Sequence, residues 1–190
     1  GDAHHGIYKA VLSASGQWVQ AQFAPVDQCF MRAYVMFKAF PATGTDVTVL
    51  GVWKSTSPSR YMTEVRVVNV GGTVKWRMRY WDNGAYYYVN SEQKMPVLDT
   101  WYCVEVEGKS NTTTYAESRI YIDGTELTDV SQTGKNNTQQ IDCGYIWISS
   151  SGSATVWYDD VVVDTAYIGS EPIVDVTPPV FGSITANTTL

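Results

Sequence analysis

Charged and aromatic residues alternate with apolar ones in several segments, which predicts strands that each carry a polar face. Successive side chains of a strand point to opposite faces of its sheet. In the segment 61–68, Val65 and Val67 are the apolar positions, so Glu64 and Arg66 face the other way. The same rule, applied to neighbouring segments, predicts one sheet surface that carries Arg32, Tyr34, Trp53, Glu64, Arg66, Arg77, Arg79 and Glu105, with Trp81, Tyr86, Tyr88 and Trp147 at its rim.

These residue types suit recognition of a glycan on a concave sheet face. The CH-rich faces of sugars stack on Trp and Tyr, and sugar hydroxyls hydrogen-bond to Arg and Glu. Arginines also suit the carboxylates of uronic acids. The alternative is a solvated face whose charges pair across strands, which stabilises by only about 0.2–1 kcal/mol per pair. We favour the binding face, because a solvated face seldom places Trp and Tyr beside several arginines.

Composition argues against several other functions. The net charge is −6 and the sequence pI is about 4.8, so the chain lacks the basic footprint of a nucleic-acid binder. The same charge disfavours attraction to an anionic membrane. No run of about 18 apolar residues occurs, so we predict no membrane insertion. No phosphate loop, nucleophile elbow or HExxH motif is present.

Several features are typical of a secreted or cell-surface protein. Charged residues make up only 17% of the chain, and Ser, Thr, Asn, Gly and Tyr take their place. Asn-x-Thr sequons begin at Asn111, Asn136 and Asn187. The three cysteines allow at most one disulfide, between Cys29 and Cys143 if any, and we favour buried free thiols.

Short strands separated by turn signals predict a β-sandwich. Gly71-Gly72, Asn83-Gly84 and Asp123-Gly124 are signals for tight hairpin turns. We predict strands at residues 7–13, 18–23, 30–40, 47–54, 61–70, 73–81, 86–90, 101–107, 119–122, 125–127, 141–149 and 155–163.

The chain divides near residue 170. Residues 1–169 are predicted to form the sandwich domain. Residues 170–190 are predicted to be a linker and the start of a following domain, because the segment is polar and Thr177-Pro178-Pro179 is a stiff linker signal. Further domains of the same chain are therefore expected partners.

Several phrases, taken in order, resemble the laminin-G-like and concanavalin A-like jelly rolls of secreted bacterial and archaeal proteins. The resemblance spans residues 4 to 169. It rests on His5-Gly6-Ile7-Tyr8, on the strand 30–35, on Trp101-Tyr102-Cys103-Val104-Glu105, on Tyr121-Ile122-Asp123-Gly124 and on the closing strand 156–163. It implies an all-β, two-sheet antiparallel β-sandwich with jelly-roll topology. This fold hosts lectins, binding modules, adhesion domains, hydrolases and lyases, so it does not by itself choose a function.

The resemblance also implies a structural calcium ion near the N-terminus, held by an Asp of the closing strand. Asp160 is the candidate, with Asp159 or Asp2 as further ligands, since calcium takes six or more oxygen ligands. The alternative is that Asp160 caps backbone amides of a neighbouring strand. Asp159 and Asp160 alternate faces, which argues against both holding one ion.

Two enzyme families of this fold supply comparison motifs. Glycoside hydrolases of the fold use an E-x-D-x-x-E strand, and here Ser110 replaces the last acid after Glu105 and Glu107. The strand containing Glu64 and Arg66 resembles the E-x-R strand of alginate lyases. Those enzymes also use a Gln-x-His strand, from which 140–142 departs. A lyase using Arg66, Arg77 and Tyr88 therefore remains an alternative.

We predict a non-catalytic carbohydrate-binding module of an extracellular multidomain protein, with polysaccharide as its partner. The alternatives are a structural or adhesion spacer of a cell-surface protein and, second, a polysaccharide lyase.

Overall fold

The computed structural model describes residues 10–12, 17–57, 59–110, 116–147, 154–170 and 185–187, which form strands and their connections. None of these residues forms a helix that could cross a membrane. The strands are β1 Ala10–Leu12, β2 Trp18–Val26, β3 Gln28–Ala39, β4 Asp46–Lys54, β5 Arg60–Val70, β6 Thr73–Asp82, β7 Ala85–Asn90, β8 Trp101–Lys109, β9 Ala116–Ile122, β10 Thr125–Glu126, β11 Gln132–Lys135, β12 Ile141–Trp147, β13 Thr155–Asp164 and β14 Thr185–Asn187.

These strands form two antiparallel sheets. The first sheet has the order β1-β13-β3-β8-β9-β10, and β11 also pairs with β9. The second sheet has the order β14-β2-β12-β4-β5-β6-β7. Strands near the start of the chain pair with strands near its end, and this pairing produces the crossing connections of a jelly roll. The prediction of an all-β, two-sheet antiparallel sandwich is confirmed.

The core lies between the sheets and is built from the apolar side of each strand's alternation. Trp76 of the second sheet is fully buried, and its ring centroid lies 5.7 Å from Phe37 and 5.6 Å from Tyr102 of the first sheet. Polar contacts also cross the core: the Thr63 and Ser118 hydroxyls lie 2.7 Å apart, and the Tyr158 hydroxyl donates to the carbonyl of Val49 at 2.9 Å. The Thr63 and Ser118 hydroxyls therefore satisfy each other's hydrogen-bonding capacity in an uncharged layer of the core.

The tight turns fall where the sequence predicted them. Asn83 and Gly84 have φ of 45° and 90°, and Asp123 and Gly124 have φ of 53° and 75°. Two successive residues with positive φ match the right-handed twist of the flanking strands, and Asn, Asp and Gly adopt this conformation at least cost. The turns fix the register of β6 with β7 and of β9 with β10.

The cysteines and the chain ends complete the fold. All three cysteines are buried free thiols, and burial raises the pKa of Cys29 to about 12.

The opening motif 5–8 lies outside the described residues. β14 adds to the second sheet by pairing with β2, while the division of the chain near residue 170 stays a prediction.

Candidate functional site

The predicted binding face is divided between the two sheets, so its placement on one surface was wrong. Arg32, Tyr34 and Glu105 lie on β3 and β8 of the first sheet. The others lie on the second sheet: Trp53, Glu64, Arg66, Arg77, Arg79, Trp81, Tyr88 and Trp147. Strand alternation predicts which side chains turn away from the core, but it does not tell to which sheet a strand belongs.

Part of the outer face of the first sheet is covered by the chain segment that follows β13, residues 165–170, which we call the strap. Arg32 is fully buried and donates from Nη1 to the carbonyl of Gly169 at 3.1 Å. The Tyr34 hydroxyl donates to the carbonyl of Ser170 at 2.8 Å. Both side chains therefore hold the chain's own backbone at the place where the sequence suggested a glycan.

Glu105 completes the contact between this sheet and the strap. Its carboxylate accepts hydrogen bonds from the amides of Ile168 at 2.8 Å and Gly169 at 3.0 Å. Burial raises the pKa of Glu105, and the two amide donors oppose that effect by favouring the charged form. The three first-sheet residues of the predicted site thus form an anchor for the strap.

On the second sheet, a row of residues runs across neighbouring strands on the outer face. The strand register aligns Tyr145 with Gly51, Gly51 with Glu64, and Glu64 with Arg79. A Cβ atom at position 51 would lie 2.7 Å from the Tyr145 hydroxyl oxygen. Because Gly51 has no side chain, the tyrosine ring lies across it, and the hydroxyl donates to the carboxylate of Glu64.

Glu64 is the centre of this row and is fully buried. It forms ion pairs with Arg79 and with Arg66, whose Nη1 lies 3.1 Å away. Burial, followed by the negative charge of Glu64, raises the pKa of Tyr145 well above its ordinary value. Burial alone would lower the pKa of Arg79, but the carboxylate of Glu64 raises it. The row is therefore a fixed set of charges with a neutral phenol.

Asp46 joins Arg66 to one further arginine, Arg77, beside this row. One carboxylate oxygen lies 2.7 Å from Arg66 Nη2 and the other lies 2.8 Å from Arg77 Nη1. Arg77 also donates from Nε to Asn90 at 2.6 Å. Burial raises the pKa of Asp46, but the two guanidinium groups outweigh burial and hold it below its ordinary value. Three arginines thus share two carboxylates, and we call this network the charged floor.

Aromatic rings lie next to the charged floor and form what we call the aromatic layer. Tyr61 is at its centre, with ring centroids 5.3 Å from Trp53, 5.9 Å from a stacked Trp147 and 6.2 Å from Tyr86. The guanidinium of Arg79 lies 4.4 Å from the Tyr61 centroid and 4.8 Å from that of Tyr86. The rings Trp53, Tyr61, Tyr86 and Trp147 are half-buried, so each keeps some surface toward solvent.

Two aromatic residues of this surface, Tyr61 and Tyr145, were missed by the sequence reasoning, as was Asp46 of the charged floor. Tyr61 lies four residues before the core residue Val65, so strict alternation would place its side chain toward the core. The pairing with β4 shifts by one residue at this point, because Val52 pairs with Thr63 but Trp53 pairs with Tyr61. The bulge turns the tyrosine to the outer face. Tyr145 stands two residues before Trp147, which was named, so alternation along that strand was a signal that could have identified it.

The rim residues contribute unequally. Tyr88 is 50% exposed and lies 5.6 Å from the Arg77 guanidinium. Trp81 contacts Tyr86, with ring centroids 4.7 Å apart. Both therefore extend the aromatic layer toward the edge strand β7.

Asp159 and Asp160, two of the predicted calcium ligands, are neighbours in β13. Asp160 lies at the bulge in β13, with φ of 47°, and its amide donates to the Asp159 carboxylate at 3.0 Å. No cluster of three or more His, Cys, Asp or Glu side chains that could hold a metal occurs in the described part of the chain. Asp2 lies outside that part. Calcium takes six or more oxygen ligands, backbone carbonyls among them, and the calcium ion stays a prediction.

No protein-family model and no curated protein matches this sequence. Solved structures do match its fold. Alginate lyase Aly36B is 14% identical with a TM-score of 0.61, over 82% of this chain and 79% of that one. The endo-β-1,4-glucuronan lyase of the fungus Trichoderma reesei is 13% identical with a TM-score of 0.59, over 83% and 80%.

Two non-lyase structures share the fold as well. A pentraxin from Limulus polyphemus is 14% identical with a TM-score of 0.57, over 94% of this chain and 91% of that one. The receptor-binding domain of botulinum neurotoxin D is 13% identical with a TM-score of 0.55, over 85% and 41%. Together these likenesses show the concanavalin A-like jelly-roll fold. The finer laminin-G-like resemblance stays a prediction.

Proposed function

We propose that this domain is a non-catalytic carbohydrate-binding module that holds a polysaccharide on the outer face of its second sheet. The observation that carries the proposal is the aromatic layer beside the charged floor. Half-exposed Trp and Tyr rings offer flat apolar surfaces to sugar rings. The ion pairs below fix those rings in place, which reduces the ordering that binding would otherwise require.

The fold relatives support a sugar ligand of this kind. One alginate lyase structure contains an alginate trisaccharide, and one botulinum neurotoxin D structure contains N-acetylneuraminic acid. The glucuronan lyase is named for a polysaccharide substrate. A jelly roll that binds glycans is therefore well represented among the structures that this chain resembles.

The state of the polar groups favours binding over cleavage. A lyase needs a base whose pKa lies near the working pH. Tyr145, the phenol bonded to the charged floor, is fully buried as a donor to Glu64, and its pKa is raised. Tyr88, the tyrosine named above for a lyase, lies at the exposed rim, with its ring 5.6 Å from the Arg77 guanidinium. Arg66 and Arg77, proposed above to serve a lyase, are both paired with Asp46. These contacts leave the floor suited to holding the rings in place.

A glycan array, followed by calorimetric titration of the best ligand, tests the proposal. Trp53→Ala should weaken binding by about 1–3 kcal/mol, the scale of a lost aromatic anchor. Trp157→Ala is the matched control, because Trp157 is a half-buried tryptophan on the first sheet, on β13. Binding that falls equally in both variants would contradict the location.

Two other outcomes would favour the alternatives. Absence of binding to any glycan by a folded domain would favour the structural or adhesion spacer. Release of unsaturated sugars that absorb ultraviolet light would establish a lyase. Running the array with calcium and with EDTA also tests the calcium prediction.

A further inference from the structure

We propose that a pocket at one end of the aromatic layer binds an uncharged terminal sugar residue of the glycan. The pocket lies where the turn between β6 and β7 meets the segment 136–139. This inference rests on the function proposed above and adds to it an end-on subsite with a stated chemistry.

The pocket is a cavity of about 330 Å³ whose lining includes Trp81, Asn83, Asn136, Thr138 and Gln139. This volume is near the lower end of the roughly 300–1,000 Å³ of small-molecule sites, which suits a single sugar ring better than a chain. One indole and several amide or hydroxyl groups make up this lining. An indole stacks on the apolar face of a pyranose, and amides both donate to and accept from its hydroxyls.

Backbone and side-chain hydrogen bonds hold the walls of the pocket in place. The amide of Asn83 donates to the carbonyl of Asn136 at 3.1 Å, and the amide of Asn136 donates to the Asp82 carboxylate at 2.8 Å. Lys54 donates to the side-chain oxygen of Gln139 at 2.7 Å. The shape of the pocket is therefore set before any ligand enters, as in most small-molecule sites.

Two amide side chains of the pocket remain available to a ligand. Within the part of the chain that the structure describes, the side chains of Asn83 and Asn136 are exposed and make no hydrogen bond. Their neighbours Asp82 and Asn137 are held instead, by the Asn136 amide and by the Gln139 amide. Free amides on a fixed frame are donors and acceptors for sugar hydroxyls.

The absence of charge in the pocket lining indicates an uncharged sugar. No residue in that lining is acidic or basic. A second cavity, of about 380 Å³, has Asp46 and Arg77 of the charged floor in its lining. Lys54 is engaged by Gln139, and the Asp82 carboxylate lies beside Asn136. A ligand carboxylate in the pocket between β6–β7 and 136–139 would therefore lose water without a cationic side chain in the lining to pair with, which is costly. The two cavities therefore differ in the sugars they suit.

The aromatic layer leads into the pocket. Trp81 follows Arg79 by two residues on β6 and so lies on the same face. Its ring contacts Tyr86 at 4.7 Å, and Tyr86 lies 6.2 Å from Tyr61 at the centre of the layer. A glycan that crosses Tyr61 and Tyr86 thus meets Trp81 where the surface closes against the segment 136–139.

Proton–nitrogen NMR spectra of unglycosylated protein test the pocket directly. The probes are methyl glycosides of glucose, galactose, mannose and N-acetylglucosamine, and those of glucuronic and galacturonic acid, each at tens of millimolar. At least one neutral glycoside should shift the Trp81 indole and the Asn136 side-chain amide signals, and the uronides should shift them less. Equal shifts with uronides, or no shift with any neutral probe, would overturn the proposal.

A pair of variants separates a hydrogen-bonding role from a general effect on the fold. Asn136→Ala removes an unbonded side-chain amide and should weaken binding of the effective probe about three- to tenfold, the scale of a lost hydrogen bond. Thr133→Ala, an exposed change on the preceding strand β11, is the control and should leave binding unchanged. Unchanged binding by the Asn136 variant would contradict the role assigned to that amide.

Failure of the subsite and failure of the proposed function give different results. If array-selected oligosaccharides shift the Trp53 and Tyr61 signals while Trp81 and Asn136 stay unchanged, the pocket is not a subsite and the binding face remains. If neither group of signals responds to any glycan, both proposals are wrong.

Discussion

At the scale of single residues, the proposed binding surface depends on a position without a side chain. Gly51 lets the Tyr145 ring cross β4 and donate to Glu64. The outward orientation of Glu64, Arg66 and Arg79 could be predicted from alternation with Val65 and Met78. The crossing of Tyr145 could not, because it depends on which strand lies next to β4. The outward orientation of Tyr61 could not be predicted either, because it depends on a bulge, and strand alternation does not reveal bulges.

Gly51→Ala should destabilise the domain by about 1–3 kcal/mol, the usual cost of overpacking a dense region. The new Cβ would lie 2.7 Å from the Tyr145 hydroxyl oxygen and 2.8 Å from the backbone oxygen of Thr63, so a side-chain shift relieves only one contact. Urea unfolding measures the change. Thr133→Ala, on an exposed site, should unfold at the wild-type midpoint. A Gly51 variant as stable as the wild type would show that the ring has room to move.

Asp46 should make stability depend on acid pH. Arg66 and Arg77 hold its pKa in the folded protein below the value of about 3.9 of an unfolded chain, although burial opposes them. The folded state therefore binds this proton less readily than the unfolded state. The resulting stabilisation is present above about pH 4 and is lost as the pH falls through the folded pKa.

The matched variant is Asp46→Asn, compared with the wild type by urea unfolding from pH 7 to pH 3. The wild type should be the more stable at pH 7, and the difference should narrow as the pH falls. A difference that stays constant over this range would mean that the charge of Asp46 is not the source of its contribution.

At the scale of elements, strand positions followed from sequence far better than strand partners did. Most strands and the tight turns were predicted near their observed places, because their apolar alternation and Gly pairs are local signals. β11 was missed because Gln132–Lys135 is polar, and its pairing with β9 gives it strand structure. Arg32 and Glu105 were assigned to the wrong surface, because alternation does not tell to which sheet a strand belongs. Their burial was not predicted, because the strap that covers them is distant in sequence.

Glu105→Ala should loosen the strap and destabilise the domain by several kcal/mol. It removes a carboxylate that accepts from two backbone amides, and hydrogen bonds to charged groups contribute about 1.5–3 kcal/mol each. It also leaves the Arg32 guanidinium buried without the negative charge of Glu105. Hydrogen exchange should accelerate at the Ile168 and Gly169 amides.

The control for this variant is Glu126→Ala on β10 of the same sheet. Glu126 lies 3.7 Å from Arg119 in a partly exposed ion pair, which contributes at most about 1 kcal/mol. Equal destabilisation by the two changes, or unchanged exchange at the strap amides, would contradict the anchoring role of Glu105.

At the scale of the whole molecule, each sheet joins the two ends of the domain. β3 pairs with β13 in the first sheet, and β2 pairs with β12 in the second. The sandwich class was predictable because it follows from many local signals. The pairing order of the strands was not predictable, because a contact between distant segments cannot be recognised from the sequence of either segment alone.

A chain that ends at Trp147 should therefore not fold. It lacks β13, which lies between β1 and β3, so the first sheet loses an inner strand and the strap. Circular dichroism and NMR dispersion should report an unfolded chain, whereas a chain that ends at Ser170 should keep the fold. Native-like dispersion of the shorter chain would show that the second sheet is sufficient by itself.

The pairing of β3 with β13 also determines when the protein can fold during its synthesis. At about 5–20 residues per second, a ribosome needs roughly 6–23 s to proceed from the end of β3 at Ala39 to the start of β13 at Thr155. During that interval β3 has no β13 partner, and its apolar residues stay open to other chains. The nascent domain therefore depends on protection from aggregation until nearly all of it has emerged from the ribosome. Until then it remains an unfolded chain, which can still pass through a narrow channel.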